Sequence, residues 1–134
     1  MNRRTLLMFA LVAGTALAAS EDWVQVDRNA AGDTIYINRA TIRRDAGIVR
    51  YTEKMVFVTA RPFRNGYHVK TIISSYAARC ADRSLALLSG ESITDTGQTI
   101  PAAPPAAITY KPVAAASAEA LSFAFVCKAG DVSN

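Results

Sequence analysis

Residues 49–57 read Val-Arg-Tyr-Thr-Glu-Lys-Met-Val-Phe, the clearest two-residue alternation in the chain. Val49, Tyr51, Met55 and Phe57 share one parity, and Arg50, Thr52 and Lys54 share the other. Successive strand residues point to opposite faces, so this pattern predicts a β-strand with one buried and one solvated face. Glu53 falls on the apolar parity and is expected near a sheet edge or beside a cation. On the N-terminal side, Asp45-Ala46-Gly47 reads as a turn, preceded by a short irregular segment, residues 38–44, that contains Ile42. Thr34-Ile35-Tyr36-Ile37 and Trp23-Val24-Gln25-Val26 read as further strands, separated by the turn cluster Asn29-Ala30-Ala31-Gly32-Asp33.

On the C-terminal side, Pro62 and Asn65-Gly66 end the strand. Residues 67–80 form a long β-rich run carrying Val69, Ile72, Ile73 and Tyr76, and Ala81-Asp82-Arg83 is short enough for a hairpin connection. Leu85 and Leu87 then alternate with smaller residues through Ile93, and Asp95-Thr96-Gly97 turns the chain again. Connections this short make consecutive strands antiparallel, because a parallel crossover needs a dozen or more residues.

The composition changes at Pro101. Pro101, Pro104, Pro105 and Pro112, spaced by alanines, cannot donate ladder hydrogen bonds, so residues 101–113 read as an extended connector across the domain. Ser117 is then a helix N-cap candidate, and Glu119 suits the positive end of a helix. Ala118, Leu121 and Phe125 at i, i+3 and i+7 predict the face that packs, with Phe123 and Cys127 paired at i and i+4. Lys128 suits the helix end and Gly130 its termination. The expected fold is α+β, an antiparallel sheet of about five to six strands packed against one C-terminal α-helix.

Residues 1–18 read as an export signal rather than as part of that fold. Arg3 and Arg4 form a positive start, residues 6–17 an apolar core, and Ala16-Leu17-Ala18 a small-residue cleavage site. The apolar run is shorter than the roughly 20 residues that span a bilayer, so no transmembrane segment is expected in the mature chain. The expected mature domain is residues 19–134, exported to the periplasm, the outer-membrane surface or the exterior. The chain's net charge of +4 falls to +2 once Arg3 and Arg4 are removed, which argues against a nucleic-acid partner.

Export decides how the two cysteines are read. In an oxidising compartment an isolated pair is a disulfide, here Cys80–Cys127, tying the terminal helix to the sheet. Closing a loop of that length stabilises a fold by roughly 4 kcal/mol in the chain-entropy model. Two cysteines and one histidine, His68, cannot supply four zinc ligands, and neither cysteine belongs to a Cys-x-x-Cys motif. No Gly-x-Ser-x-Gly elbow, Gly-rich phosphate loop or calcium loop is present, and no acidic pair sits in a glycosidase motif. No catalytic residue, metal or cofactor is expected, and His68 reads as a strand residue facing solvent.

One surface pattern carries a binding expectation. Arg61, Arg64, Lys70, Arg79 and Arg83 are interleaved with Phe63, Tyr67 and Tyr76. From these, Arg61, Arg64, Tyr67, Lys70 and Arg83 form a candidate surface for a macromolecular protein ligand, through an acidic segment, or for a sulfated glycan. Parity limits it: Tyr67 and Arg79 share one parity and Lys70 the other. An exposed sheet edge would also admit a homodimer, and the connector around residues 101–105 would suit an inhibitory loop in a periplasmic inhibitor or envelope-maintenance protein.

Several of these segments, in order, resemble the surface-adhesin protein E-like domain of Gram-negative bacteria. They are Trp23-Val24-x-Val26, Gly32-Asp33-Thr34-Ile35-Tyr36-Ile37-Asn38, Ile42-Arg43-Arg44 before Gly47, and Tyr76-Ala77-Ala78-Arg79-Cys80. Arg83-x-Leu85-x-Leu87-Leu88-Ser89 with Gly97, and Ser117-x-x-x-Ala120-Leu121-x-x-x-x-Val126-Cys127, complete the series across the mature chain. Asn38 stands where many members carry Asp, and Arg79 where many carry an acid. The resemblance implies an antiparallel sheet, a C-terminal helix and one disulfide, with no known catalytic residues. It also implies that some members act as adhesins for extracellular-matrix or serum proteins.

Overall fold

Turn chemistry sets the topology. Asp45 pairs with Ile48 across a two-residue connection in which Ala46 and Gly47 both have positive φ, 49° and 79°, the geometry that matches the twist of a tight hairpin. The computed structural model describes residues 21–130. In it, β1 (Trp23–Arg28), β2 (Thr34–Asp45), β3 (Ile48–Pro62), β4 (His68–Arg79), β5 (Ser84–Thr94) and β6 (Thr99–Pro101) pair in chain order as an antiparallel meander. A two-residue strand, β7 (Lys111–Pro112), returns to the outer edge of β5. Helix α1 (Ala118–Gly130) follows, and Cys80 and Cys127 are disulfide-bonded. The proposed export signal at residues 1–18 lies outside the described residues.

The irregular stretch predicted at residues 38–44 is a large bulge within β2 rather than a break. Four residues, 39–42, lie opposite Tyr51 alone, between the Asn38–Thr52 and Arg43–Arg50 pairs. Asn38, nearly buried, holds the distortion: its Oδ1 accepts from the amides of Asp22 at 3.0 Å and Ala40 at 3.1 Å. Thr41 donates to the Asn38 carbonyl at 2.7 Å and accepts from the Thr52 amide at 2.9 Å. The bulge thus keeps its backbone groups partnered while bending the strand.

α1 covers the inner face of the sheet. Ile37, Val49, Tyr51, Ala78 and Leu85 meet Phe123 and Val126, with Val113 closing one side. Each large apolar side chain fully buried here contributes about 1.5–3 kcal/mol. Ser117 caps the helix, its Oγ accepting from the Ala120 amide at 3.2 Å. The predicted packing face is corrected: Leu121 is 49% exposed and Ala118 is exposed, whereas Ser122, Phe123 and Val126 are buried. Residues 120–127 read Ala-Leu-Ser-Phe-Ala-Phe-Val-Cys, apolar nearly all round, so periodicity could not select a side. The bond at Cys127, one turn after Phe123, does.

The expectation for Glu53 is also corrected. β3 is an inner strand, and Glu53 stands beneath α1, near Ser122 and Glu119, with no ion pair to a cation among the described residues. Burial pushes its carboxyl up, and the negative Glu119 adds to this, while the Ser122 hydroxyl offsets part of it. That hydroxyl and the Tyr51 phenol are both buried and make no hydrogen bond of standard geometry among the described residues. Tyr51 stacks on Tyr76 with ring centroids 5.6 Å apart.

Two measurements check this packing. Replacing both cysteines, Cys80→Ala with Cys127→Ala, is expected to lower Tm by on the order of 10–20 °C and to reduce the near-ultraviolet signal of the Tyr51–Tyr76 pair. Glu53 holds its proton more tightly when folded, so stability falls as pH rises from the ordinary carboxylate range through its raised value. Glu53→Gln is therefore expected to raise Tm at pH 7 and to leave it unchanged below pH 4, read by calorimetry.

Candidate binding surface

The far end of the β3–β4 hairpin carries most of the predicted surface, and its shape begins with an interruption of the ladder. Val56 pairs with Thr71, but the next β3 pair is Arg61 with Val69, so residues 57–60 form a bulge opposite Lys70, with Phe57 buried and Val58 exposed. The chain then turns through a short 3-10 segment, Arg64–Gly66, in which Asn65 takes a positive φ of 61°. Val58, at the crest, is 55% exposed.

Asp33, from the turn before β2, is the post on which this bulge rests. It is 5% exposed, and its carboxylate accepts from the Val58 amide at 2.9 Å, Asn29 Nδ2 at 3.1 Å and Arg61 Nη2 at 2.8 Å. Asn29 returns a bond, its Oδ1 accepting from the Asp33 amide at 2.9 Å. These hydrogen bonds, with the Val58 amide foremost and Asn29 next, hold the Asp33 carboxyl below the usual carboxylate range. Gly32 closes the same contact: it has φ +90°, and a Cβ there would lie 2.9 Å from Val58 Cγ2.

The predicted cations divide by what they already hold. Arg61 is tied to Asp33 and lies over the Phe57 ring at 4.1 Å. Lys70 donates from Nζ to the Val58 carbonyl at 2.5 Å, bracing the bulge from β4. Arg64 is exposed, stands 5.2 Å over the Phe63 ring and has no acidic partner among the described residues. Tyr67 is half-buried beside it, and His68 is exposed, as expected. Of the predicted cations, Arg64 is thus the one left exposed beside Phe63 and Tyr67 at the hairpin end.

Arg83 is not brought to this surface. β4 has twelve residues, and at about 3.3 Å per residue the turn holding Arg83 lies roughly 36 Å from the hairpin tip. There Arg83 lies 5.5 Å from the Phe123 ring, and its carbonyl accepts from the Val113 amide at 2.9 Å. Arg79 donates to Ser84 Oγ at 3.1 Å and lies 3.8 Å over the Tyr110 ring. These two arginines fasten the connector and helix.

Sequence reasoning missed a second concavity, a groove of about 460 Å³ between β5, the connector and the first turn of α1. Leu85 and Leu87 face it together, but a one-residue slip in the β4–β5 ladder, between the Ser75–Ser89 and Tyr76–Leu87 pairs, puts Ile93 on the opposite face. The prolines had marked the segment that walls it, without indicating a hollow. Among the described residues no cluster of three or more His, Cys, Asp or Glu side chains is placed to hold a metal ion.

Because the Asp33 carboxyl is depressed by its folded-state bonds, the stability it contributes is present at neutral pH and lost as pH falls through its lowered value. Asp33→Asn is expected to lower Tm at pH 7 and to flatten the rise of stability between acid and neutral pH, followed by thermal melts across that range.

The model for the family described as surface-adhesin protein E matches residues 23–128. No curated protein is significantly similar in sequence. Among solved structures, Haemophilus influenzae protein E is similar at 15% identity and TM-score 0.57, covering 84% of this chain and 92% of that one. Protein E from non-typeable Haemophilus influenzae is similar at 16% identity and TM-score 0.58, covering 87% and 85%. A second crystal form of the H. influenzae protein gives 15% identity and TM-score 0.59, covering 84% and 95%. At such identities the structures speak to the fold, while the family match spans almost every residue described above: the chain belongs to the surface-adhesin protein E family.

Proposed function

We propose that this chain is an exported, non-enzymatic binding domain that holds a macromolecular protein ligand at the tip of its β3–β4 hairpin. The observation that carries the reading is Arg64, an exposed guanidinium beside Phe63 and Tyr67 with no acidic partner among the described residues. Arginine and aromatic side chains are the residue types that concentrate binding energy at protein interfaces. The Asp33–Arg61 pair and Lys70 brace the bulge behind them, so this surface is held in shape before a ligand arrives.

Family membership and the likeness to protein E support an adhesin-type role, and extracellular-matrix or serum proteins are the ligand class this reading favours. Export to the envelope or beyond agrees with it. No helix among the described residues is long and apolar enough to cross a membrane. A periplasmic inhibitor would need a loop projecting into a cleft. The connector is instead returned to the sheet by β7 and held by Arg79 against Tyr110, which weighs against that alternative.

Arg64→Glu is expected to weaken retention on immobilised basement-membrane matrix or serum protein by about tenfold, equivalent to about 1.4 kcal/mol. Binding of the unaltered protein should also decline as salt is raised. Arg83→Glu, at the opposite end of β4, is the matched control and should bind normally. Equal binding by all three proteins in surface plasmon resonance would remove the hairpin tip from consideration.

A further inference from the structure

β5 is the last long strand of the sheet, and its outer edge is occupied only at its ends. β7 pairs with Ser84 and Leu85, and β6 pairs with Glu91, Ser92 and Ile93. One further bond runs from the Ala102 amide to the Gly90 carbonyl at 3.0 Å. Between these points residues 86–89 have no strand partner on that edge among the described residues. The connector from β6 to β7 passes the window without pairing to it. Pro104 and Pro105 have no N–H to offer, so a regular ladder through this part of the connector is chemically barred.

The 460 Å³ groove opens at this window. Tyr76 and Leu87 face it from the sheet, and Pro105 and Ala107 from the connector. Leu87 is 45% exposed, an unusual state for a leucine on the helix-covered face of a sheet. Lys111 and Glu119 place opposite charges on the groove wall, one in β7 and one in the first turn of α1.

These features select an occupant. A strand edge without a partner offers free amides and carbonyls, here stepped at the bulged residue Leu88, and the ligand that meets such a row is another extended backbone. A fatty acyl chain would fill the apolar part but leave the edge unanswered, and a glycan would not match the leucine and proline surface. The window is four residues long, about 13 Å, enough for a short strand lying in line with β6 and β7. Both of those strands are antiparallel to β5, and a strand between them takes the same direction. Its apolar side chain would rest against Leu87 and Tyr76, with an acidic residue toward Lys111 and a basic one toward Glu119.

We infer that residues 86–89 of β5, with the adjoining groove, form a docking site for an extended peptide segment of another protein, bound by strand addition. This site is separate from the hairpin tip and does not depend on it.

The test uses the purified, disulfide-bonded protein and a displayed library of random dodecapeptides, selected against it with Leu87→Arg protein as the decoy. Enriched peptides should alternate apolar and polar residues. In nuclear magnetic resonance titrations they should shift amides of residues 86–89 and of the connector. Leu87→Arg and Ala107→Arg should each weaken them at least tenfold, whereas Arg64→Glu should leave them unchanged. Both altered side chains are exposed, and Ala107 lies outside the sheet ladder, so Ala107→Arg decides the matter should Leu87→Arg fail to fold. Methylating alternate backbone nitrogens of the peptide should abolish binding. The proposal is overturned if no peptide is enriched over the decoy, if shifts map to the hairpin tip, or if methylated peptides bind equally. It is also overturned if the window proves to be filled by a second copy of the chain, seen as a concentration-dependent dimer that Leu87→Arg abolishes.

Discussion

The covalent bond between Cys80 and Cys127 fixes how the helix meets the sheet, and most of the structure follows from that contact. Cys80 directly follows the long β4 and Cys127 lies near the helix terminus, so the bond ties segments that are 47 residues apart. It brings Phe123 and Val126 over Ile37, Val49 and Ala78. The small side chain of Ala78, buried on the helix-facing side of β4, allows that close approach. With the helix placed, the connector has to run along the outer edge of β5, where Arg79 and Tyr110 hold it. The groove is the space left between these three constrained parts.

The sheet departs from a regular ladder in every long strand, and the departures carry the surface features. In β2 the bulge is supported by Asn38 and Thr41, both satisfied by local backbone groups. In β3 the bulge at residues 57–60 is supported from two other elements, by Asp33 through the Val58 amide and by Lys70 through the Val58 carbonyl. The buried polar residues Asn38 and Asp33 are each the partner of a backbone group the ladder abandoned. Glu53 stands apart from this pattern. Its carboxyl is covered by the helix with no ion pair to a cation among the described residues, and burial raises its pKa, while the Tyr51 and Ser122 hydroxyls are buried without a hydrogen bond of standard geometry.

The five cations in the middle of the chain show why sequence proximity is a poor guide to a surface. Arg61, Arg64 and Lys70 lie at one end of the β3–β4 hairpin, and Arg79 and Arg83 lie near the other end of β4. Two of the first three brace the bulge and leave Arg64 facing outward, whereas the second pair lies over Tyr110 and Phe123 and serves the connector and helix. A single basic stripe in the sequence thus becomes two unrelated structural devices.

What could be read from sequence is what depends on local periodicity and turn chemistry. The strands around the alternation at residues 49–57, the Asp45-Ala46-Gly47 turn, the helix cap at Ser117, the antiparallel order and the cysteine pairing all have short-range or compositional signals. Tertiary structure decided the rest, because the deciding forces act between residues distant in sequence. The helix, apolar on most sides, took its rotation from a covalent tether rather than from its own pattern. Asp33 acquired its role from Val58 and Arg61, residues 25 and 28 positions away. The uncovered window on β5 exists because two short strands return to the same edge and a proline-rich segment between them cannot, a coincidence of chain path that no local window of sequence contains.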